Sequence, residues 1–542
     1  MRRLMHAATS AAIFALTIGA SIPPAYATKP AARYDHVLLI SVDGMHAIDL
    51  AKYIVTHPAS TFASLAGNGI RYPNALTTGP SDSFPGLLAP VTGGTSKSTG
   101  VFYDNSYDRS MFAPGSACAG SPGTNTVYDE SIDKNPVSFN AGGTLGDVLS
   151  QIDPAALPLA LVGGVCTPVY PHSFIKVNTI FEAIRAHGGQ TAWSDKHPAY
   201  DIVNGPSGMG VEDLFTPEVN SDDTTAGMTV FPSDPSWFHL NNTTTGDDTT
   251  HGYHSVARND LRKVHSVLNE IAGFRSTDDS HTTVIGVPTI MGMNFQAVSV
   301  GQKLRNGNAA DPLDVITCAG SNPCGGYASA AATPNKGLAF GLDFVDSQLD
   351  AMVAELSSRG LLADTLIVVE AKHGQSPIDL SLRMAVSDAP YAATPGIAQF
   401  TTDDVALVWL DPSLQQADYS AAEAYLMSQA STLGIVQLLD KASLAPLFHN
   451  PFSNDRTPDF IAITKHGLIY TSGSKLAEHG GFSQDDRNVA LLISNPAITA
   501  AVNDSGVETR QIASTILDVL GISPKELDGA RTENTKVLPG SY

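Results

Sequence analysis

Four apolar runs in this chain stop abruptly at polar residues, and they limit the folds open to it. Val37-Leu38-Leu39-Ile40-Ser41-Val42 runs into Asp43-Gly44, and Thr365-Leu366-Ile367-Val368-Val369 runs into Glu370-Ala371-Lys372-His373-Gly374. Val489-Ala490-Leu491-Leu492-Ile493 is a third, and Val405-Ala406-Leu407-Val408-Trp409-Leu410 a fourth. A strand with one wet face alternates apolar and polar residues, whereas an unbroken apolar run reads as a strand covered on both faces. Helical patterns lie between the runs. Thr179-x-x-Glu182 forms a capping box ahead of Ile180 and Ile184, closed by Gly188-Gly189. Val345, Leu349, Met352, Val353 and Leu356 share one helical face that ends at Gly360. Strands alternating with helices imply an α/β fold around a mostly parallel sheet. Ligands of such sheets collect outside the carboxyl ends of the strands. Asp43 and His373 fall there.

The stretches 101–175, 215–255 and 305–335 are rich in Gly, Pro, Ser, Thr, Asp and Asn and read as loop excursions from a single domain over 28–542. His251 and His254 sit in one of them and read as solvent-exposed. Hydrophobic residues make up 43% of the chain, which excludes wholesale disorder. Lys and Arg total 31 against 53 Asp and Glu, a formal charge of −22. That balance argues against a nucleic-acid polymer as partner, yet a local cationic pocket can still hold a small anionic substrate. Beyond the N-terminus no apolar run is long enough to cross a membrane. Nothing in the sequence sets the oligomeric state.

Residues 1–27 read as a secretory signal peptide. Arg2 and Arg3 are followed by an apolar stretch over 11–20, and Ala25-Tyr26-Ala27 offers a small-residue cleavage site. Cleavage there removes two positive charges and deepens the balance to −24 (29 minus 53), in a secreted or periplasmic protein. The four cysteines then favour disulfides, with Cys318 paired to Cys324 around a tight loop and Cys118 to Cys166, one of three arithmetically allowed pairings. Zinc-knuckle chemistry is the weaker reading, because no C-x-x-C pair occurs.

The chain lacks G-x-S-x-G, a P-loop and H-E-x-x-H. What it holds is scattered: Asp43, Ser83, His373 and His479. Ser83-Phe84-Pro85 reads as the start of a helix, which places the Ser83 hydroxyl in a field that favours an anion. Trp193-Ser194-Asp195-Lys196-His197-Pro198 reads as a strand end with a cation and an imidazole suited to a substrate pocket.

Taken in order, Ile40-Ser41-Val42-Asp43-Gly44, Pro80-x-x-Ser83-Phe84-Pro85, Val345-Asp346-x-x-Leu349, Lys372-His373-Gly374 and Glu478-His479-Gly480-Gly481 resemble the type I phosphodiesterase/nucleotide pyrophosphatase family of the alkaline phosphatase superfamily. The resemblance runs from about His36 to about Pro496. It implies an alkaline-phosphatase-like three-layer sandwich and a two-zinc site. One metal position maps to Asp43, Ser83, Lys372 and His373; the other maps to Asn294, Val298 and His479. Three positions depart from the family pattern: Lys372 and Asn294 each replace an Asp, and Val298 replaces a His. Valine ligates nothing, and an ammonium beside Asp43 competes with a cation for the same carboxylate. The expectation is therefore a divalent metal at fewer than the usual two positions, or none, with Asp43, Ser83, His373 and His479 as the remaining ligands. Glu370 and Asp195 are the residues from which a lone metal would recruit.

The implied activity is hydrolysis of phosphate esters or diesters through a phosphoseryl intermediate. Ser83, Lys372 and His373 would be catalytic, and Gly86, Lys196, His197 and Asn294 would contact substrate. Two alternatives stay open. One is an altered homologue that binds anions without turnover, and the other is a sulfate or phosphonate ester hydrolase.

Overall fold

A computed structural model describes residues 33–136, 148–221, 229–239, 249–307, 323–414 and 416–540, together with Ile316, Cys318 and Tyr542. The signal segment over 1–27, and parts of all three loop excursions, lie outside the described residues. In chain order the strands that matter are β1 (His36–Val42), β2 (Gly69–Arg71), β3 (Ala192–Ser194), β4 (Asp213–Phe215), β5 (Ile290–Phe295) and β6 (Thr365–Glu370). They continue with β7 (Ile397–Thr402), β8 (Val405–Leu410), β9 (Ile435–Leu439), β10 (Phe460–Thr464), β11 (Leu491–Ser494) and β12 (Ala501–Val502). The helices are α1 (Ala47–Thr56), α2 (Ser83–Thr92), α3 (Tyr253–Ile271), α4 (Ala297–Lys303), α5 (Lys336–Ser358) and α6 (Gln511–Val519).

Eight strands form the central sheet in the order β12-β2-β11-β6-β1-β5-β3-β4. β1 pairs in parallel with β5 and β6, β5 with β3, and β3 with β4. The unbroken apolar run of β1 has the cause its pattern implies. Val37 and Leu39 enter one core with Phe84 and Leu87 of α2 and Ile512 and Ile516 of α6. Leu38, Ile40 and Val42 enter the opposite core with Leu50 of α1, Leu261 of α3 and Val345 and Leu349 of α5. Each such side chain contributes about 1.5–3 kcal/mol by leaving water, so alternate residues of one strand bind two helical layers to it. The Thr179–Glu182 capping box is present, and Leu349, Met352 and Leu356 are buried along α5 as their spacing predicts.

Three expectations need correction. The fourth apolar run is outside the central sheet: β8 belongs to a separate sheet ordered β7-β8-β10-β9, in which every pairing is antiparallel. Its run is unbroken because Ala406, Val408 and Leu410 face one core while Val405, Leu407 and Trp409 face another. β11 is in the central sheet but runs antiparallel to both β6 and β2. In both cases the sequence pattern reports burial on two faces and carries no information about the partner's direction. His254 is buried in α3, its ring 5.0 Å from Trp237 and 4.4 Å from Phe340, because a helix amphipathic enough to pack on the sheet begins at Tyr253. All four cysteines are paired, Cys118 with Cys166 (Cα–Cα 5.7 Å) and Cys318 with Cys324 (Cα–Cα 5.5 Å).

Candidate active site

Four strand ends and one helix start converge at the carboxyl edge of the central sheet. Asp43 follows β1, Asp195 follows β3, Asn294 lies near the end of β5, and Glu370 closes β6 just before Lys372 and His373. Ser83 opens α2, whose start is fixed by Asp82: its Oδ2 accepts the Phe84 N–H at 3.1 Å. Gly86 lets α2 lie directly on the 371–375 segment, since a Cβ there would stand 2.3 Å from the Lys372 carbonyl oxygen. Gly86 thus packs the two elements together.

Asp43 is the hub. Lys372 Nζ lies 3.2 Å from its Oδ2, and Asn294 Nδ2 donates to its Oδ1 at 3.1 Å. Gln296 Nε2 also donates to Oδ2, and His373 Nε2 stands 3.8 Å from Oδ1. Lys372 is held from two further sides, donating to the Tyr200 hydroxyl at 2.9 Å and standing 3.8 Å from Asp195 Oδ1. Burial alone would raise the Asp43 pKa, but the charges of Lys372, His373 and Lys196, with the Gln296 amide, hold it well below the carboxylate range. Burial pulls the Lys372 ammonium down, against the pull of Asp195 and Asp43.

Ser83 Oγ sits between a base and a cation. His373 Nε2 is 3.3 Å from it, and Lys196 Nζ is 3.5 Å away on a donor path. His373 Nδ1 faces the Gly374 carbonyl oxygen at 3.0 Å, which must accept, so Nδ1 carries the proton and Nε2 offers its lone pair to Ser83. Burial pushes His373 down to about 3, with Lys372 and Lys303 adding to it and Asp43 opposing, so the ring is neutral at pH 7. His479 packs against His373 with ring centroids 4.0 Å apart and planes tilted by 32°, and its Nδ1 lies 3.8 Å from Asp82 Oδ1. Lys196 is driven the other way: burial would lower it, but Asp43, Glu130, Asp195 and Asp104 keep it protonated.

Glu370 is fully buried beside this cluster, and burial pushes its carboxyl up to about 8. Between the ordinary glutamate value of about 4.3 and that raised value, the folded chain binds a proton the unfolded chain has released. Stability therefore falls as pH rises across this window and levels off above it. Glu370→Gln keeps the shape without the titration, and urea unfolding of the variant is expected to show a flatter pH dependence and greater stability at pH 8 than wild type. An unchanged slope would contradict this assignment.

The zinc pair that the resemblance implies does not fit these residues. The Asp43 oxygens are already met by an ammonium and two side-chain amides. Val298 is buried in the apolar core beside α5. Among the described residues no group of three or more His, Cys, Asp or Glu side chains is placed to hold a metal ion. Asp195 is committed to Lys372 and to the Trp193 indole, which donates to its Oδ2 at 3.0 Å.

Of the sequence-predicted residues, the structure brings Asp43, Ser83, Lys196, Asn294, Lys372, His373 and His479 together. His197 packs edge-on against Tyr200 at 4.9 Å, with its Nε2 3.9 Å from Glu130. Sequence reasoning missed Gln296, Tyr200 and Asp82. Gln296 was within reach, because it lies two residues from Asn294 and so shares its side of the chain. Tyr200 carries no such signal, since its short 3-10 helix (Pro198–Asn204) folds it back over Lys372.

This arrangement is an alkaline-phosphatase-type α/β fold. It resembles the alkaline phosphatase PafA (TM-score 0.59, 11% identity, 91% of this chain and 96% of that one). It also resembles murine ectonucleotide pyrophosphatase/phosphodiesterase 5 (TM-score 0.51, 13% identity, 93% of this chain and 97% of that one). No curated protein matches the chain in sequence. The sequence pattern of the type I phosphodiesterase/nucleotide pyrophosphatase family, a family of hydrolases, matches residues 37–144 and 335–486.

Proposed function

We propose that this protein hydrolyses phosphate esters, phosphodiesters foremost, with Ser83 as nucleophile. The observation that carries the reading is the position of Ser83 Oγ, at the start of α2 with the His373 lone pair at 3.3 Å and the Lys196 ammonium at 3.5 Å. In the first step the Ser83 Oγ–P bond forms as the P–O bond to the leaving alcohol breaks. The Ser83 proton passes to His373 Nε2, and the leaving oxygen takes a proton from His373 or from water. Water then attacks phosphorus, which releases the phosphate product and returns the proton to Ser83. Lys196 neutralises the oxygens that gain charge. Lys372 keeps Asp43 paired and adds a second positive charge in the place where the family's ligand pattern has a carboxylate.

Charge balance favours a monoanion. Lys196 and Lys372 face Asp43, Asp82 and Asp195 at close quarters, so a diester carrying one charge fits better than a monoester carrying two. The test is a panel of bis(p-nitrophenyl) phosphate, p-nitrophenyl phosphate, a phosphonate monoester and p-nitrophenyl sulfate, each assayed against Ser83→Ala. Diester turnover well above that variant is the expected result, and no turnover of any ester above it would sink the reading. Anion binding without turnover is the reading that the Lys372–Asp43 pair favours instead, and the same assay combined with phosphate calorimetry separates the two. Export is supported by the basic-apolar segment over 1–27 and by the two disulfides.

A further inference from the structure

The segment that carries Lys372 and His373 is braced from beneath by a histidine the proposed chemistry does not use. His46, the cap of α1, is buried. Its Nδ1 lies 3.0 Å from Asp49 Oδ2 and 2.7 Å from the Tyr327 hydroxyl, with Gln302 Nε2 at 3.4 Å. Its Nε2 lies 3.1 Å from the Gln375 backbone nitrogen and 3.0 Å from the Gln375 carbonyl oxygen. Asp49 can only accept, and it also takes the His46 backbone N–H at 3.0 Å and the Tyr327 hydroxyl at 2.9 Å, so Nδ1 carries a proton. The open question is Nε2. Bare, it accepts the Gln375 N–H; protonated, it donates to the Gln375 carbonyl.

Gln375 has little freedom to absorb that exchange. Its side chain donates to Ser299 Oγ at 2.7 Å, and the Gly374 N–H before it donates to the Asp486 carbonyl at 2.7 Å. The His373 carbonyl accepts the Gly44 N–H at 3.1 Å, and a Cβ on Gly374 would stand 2.9 Å from His46 Cδ2. A change at Nε2 pulls on one peptide group or the next, two residues from the base that faces Ser83.

We propose that His46, pinned by Asp49, is a positioning residue for the Lys372–His373 segment, and that its proton state selects which peptide group of Gln375 it holds. The charged and titratable groups facing it are Asp49 of α1, Tyr327 of the short strand Tyr327–Ser329, and Asp485 of the short helix Gln484–Arg487. Burial would lower its pKa, but Asp49 and Asp485 outweigh burial and raise it above the ordinary imidazole value. The consequence for rate rests on the hydrolytic reading above; the brace itself does not.

His46→Gln tests both. A glutamine offers an acceptor and a donor in place of Nε2 and cannot titrate. Against bis(p-nitrophenyl) phosphate, wild type is expected to show an ionisation in kcat/KM above about pH 6.5 that the variant lacks. The variant's kcat should stay within about tenfold of wild type at its optimum, because both peptide groups remain held. Asp49→Asn should move the wild-type ionisation to lower pH. A His46→Gln profile with the same ionisation as wild type would overturn the proposal. A second readout needs no turnover: in the Ser83→Ala protein, the His46 Cδ2 carbon-13 signal and the Gln375 amide signal should titrate together. If no ester is hydrolysed, the functional reading fails alone, and a Gln375 amide that ignores the His46 titration removes the brace.

Discussion

Ser83→Ala is expected to lower turnover of an activated phosphodiester by about 10³-fold or more, with a smaller change in KM. The size follows from what the hydroxyl does. It is the one oxygen in the cluster placed against a neutral imidazole lone pair on one side and an ammonium on the other, at the first residue of α2. Removing it leaves Lys196, Lys372 and His373 in place, so substrate still binds and water still has a base. What is lost is the covalent route that splits one displacement into two. Acid quenching during turnover and mass spectrometry of the peptide that contains Ser83 should find a phosphorylated serine in wild type. A residual rate in Ser83→Ala within tenfold of wild type would place the nucleophile elsewhere, and water activated directly by His373 would be the chemistry to examine.

Lys372→Met is expected to produce the largest loss of stability. The Lys372 and Asp43 side chains are 0% and 1% exposed and stand 3.2 Å apart, so removing the ammonium strands a buried carboxylate. Breaking such a pair from one side costs about 3–5 kcal/mol, whereas replacing both partners by matched neutral groups is often close to neutral. Urea unfolding should therefore show a large loss for Lys372→Met and substantial recovery in the Asp43→Asn/Lys372→Met double variant. Absence of recovery would mean that Lys372 stabilises through Tyr200 and Asp195 instead. Lys372→Asp asks a different question of the same position. It restores the carboxylate of the family pattern beside Asp43 and His373, and elemental analysis should find zinc bound where wild type binds less. Equal metal content in the two proteins would count against the competition between ammonium and cation.

Much of this was legible before any coordinates. β1 and β6 could be read because both faces of each are buried, and their last residues led straight to Asp43 and His373. Ser83 was legible from the proline two residues after it, and the pairing of Lys372 with Asp43 from the family pattern it breaks. The direction of β11 and the separate sheet around β8 were not legible, since apolar runs record that a strand is covered and not by what. The cradle around Asp43 was half legible. Asn294 came from alignment with the family pattern and Gln296 follows it by two residues on the same side of the chain, while Tyr200 reaches the site through the 3-10 turn after β3. Long-range geometry of this kind leaves no local periodicity to find.

The reversed direction of β11 decides where His479 can be. Leu491, near the amino end of that strand, pairs with Glu370 at the carboxyl end of β6. The chain therefore arrives at the carboxyl edge of the sheet before it enters β11, and its approach path, residues 478–488, sets His479 against His373 and pairs Gly480 with Ser81. Had β11 run with its neighbours, the same approach would have opened at the far edge of the sheet, on the order of 13 Å away for a strand of this length. A single strand's polarity thus lets a residue more than four hundred positions from Asp43 join it. Circular permutation or truncation between β10 and β11 should consequently separate folding of the sheet from assembly of the reactive centre.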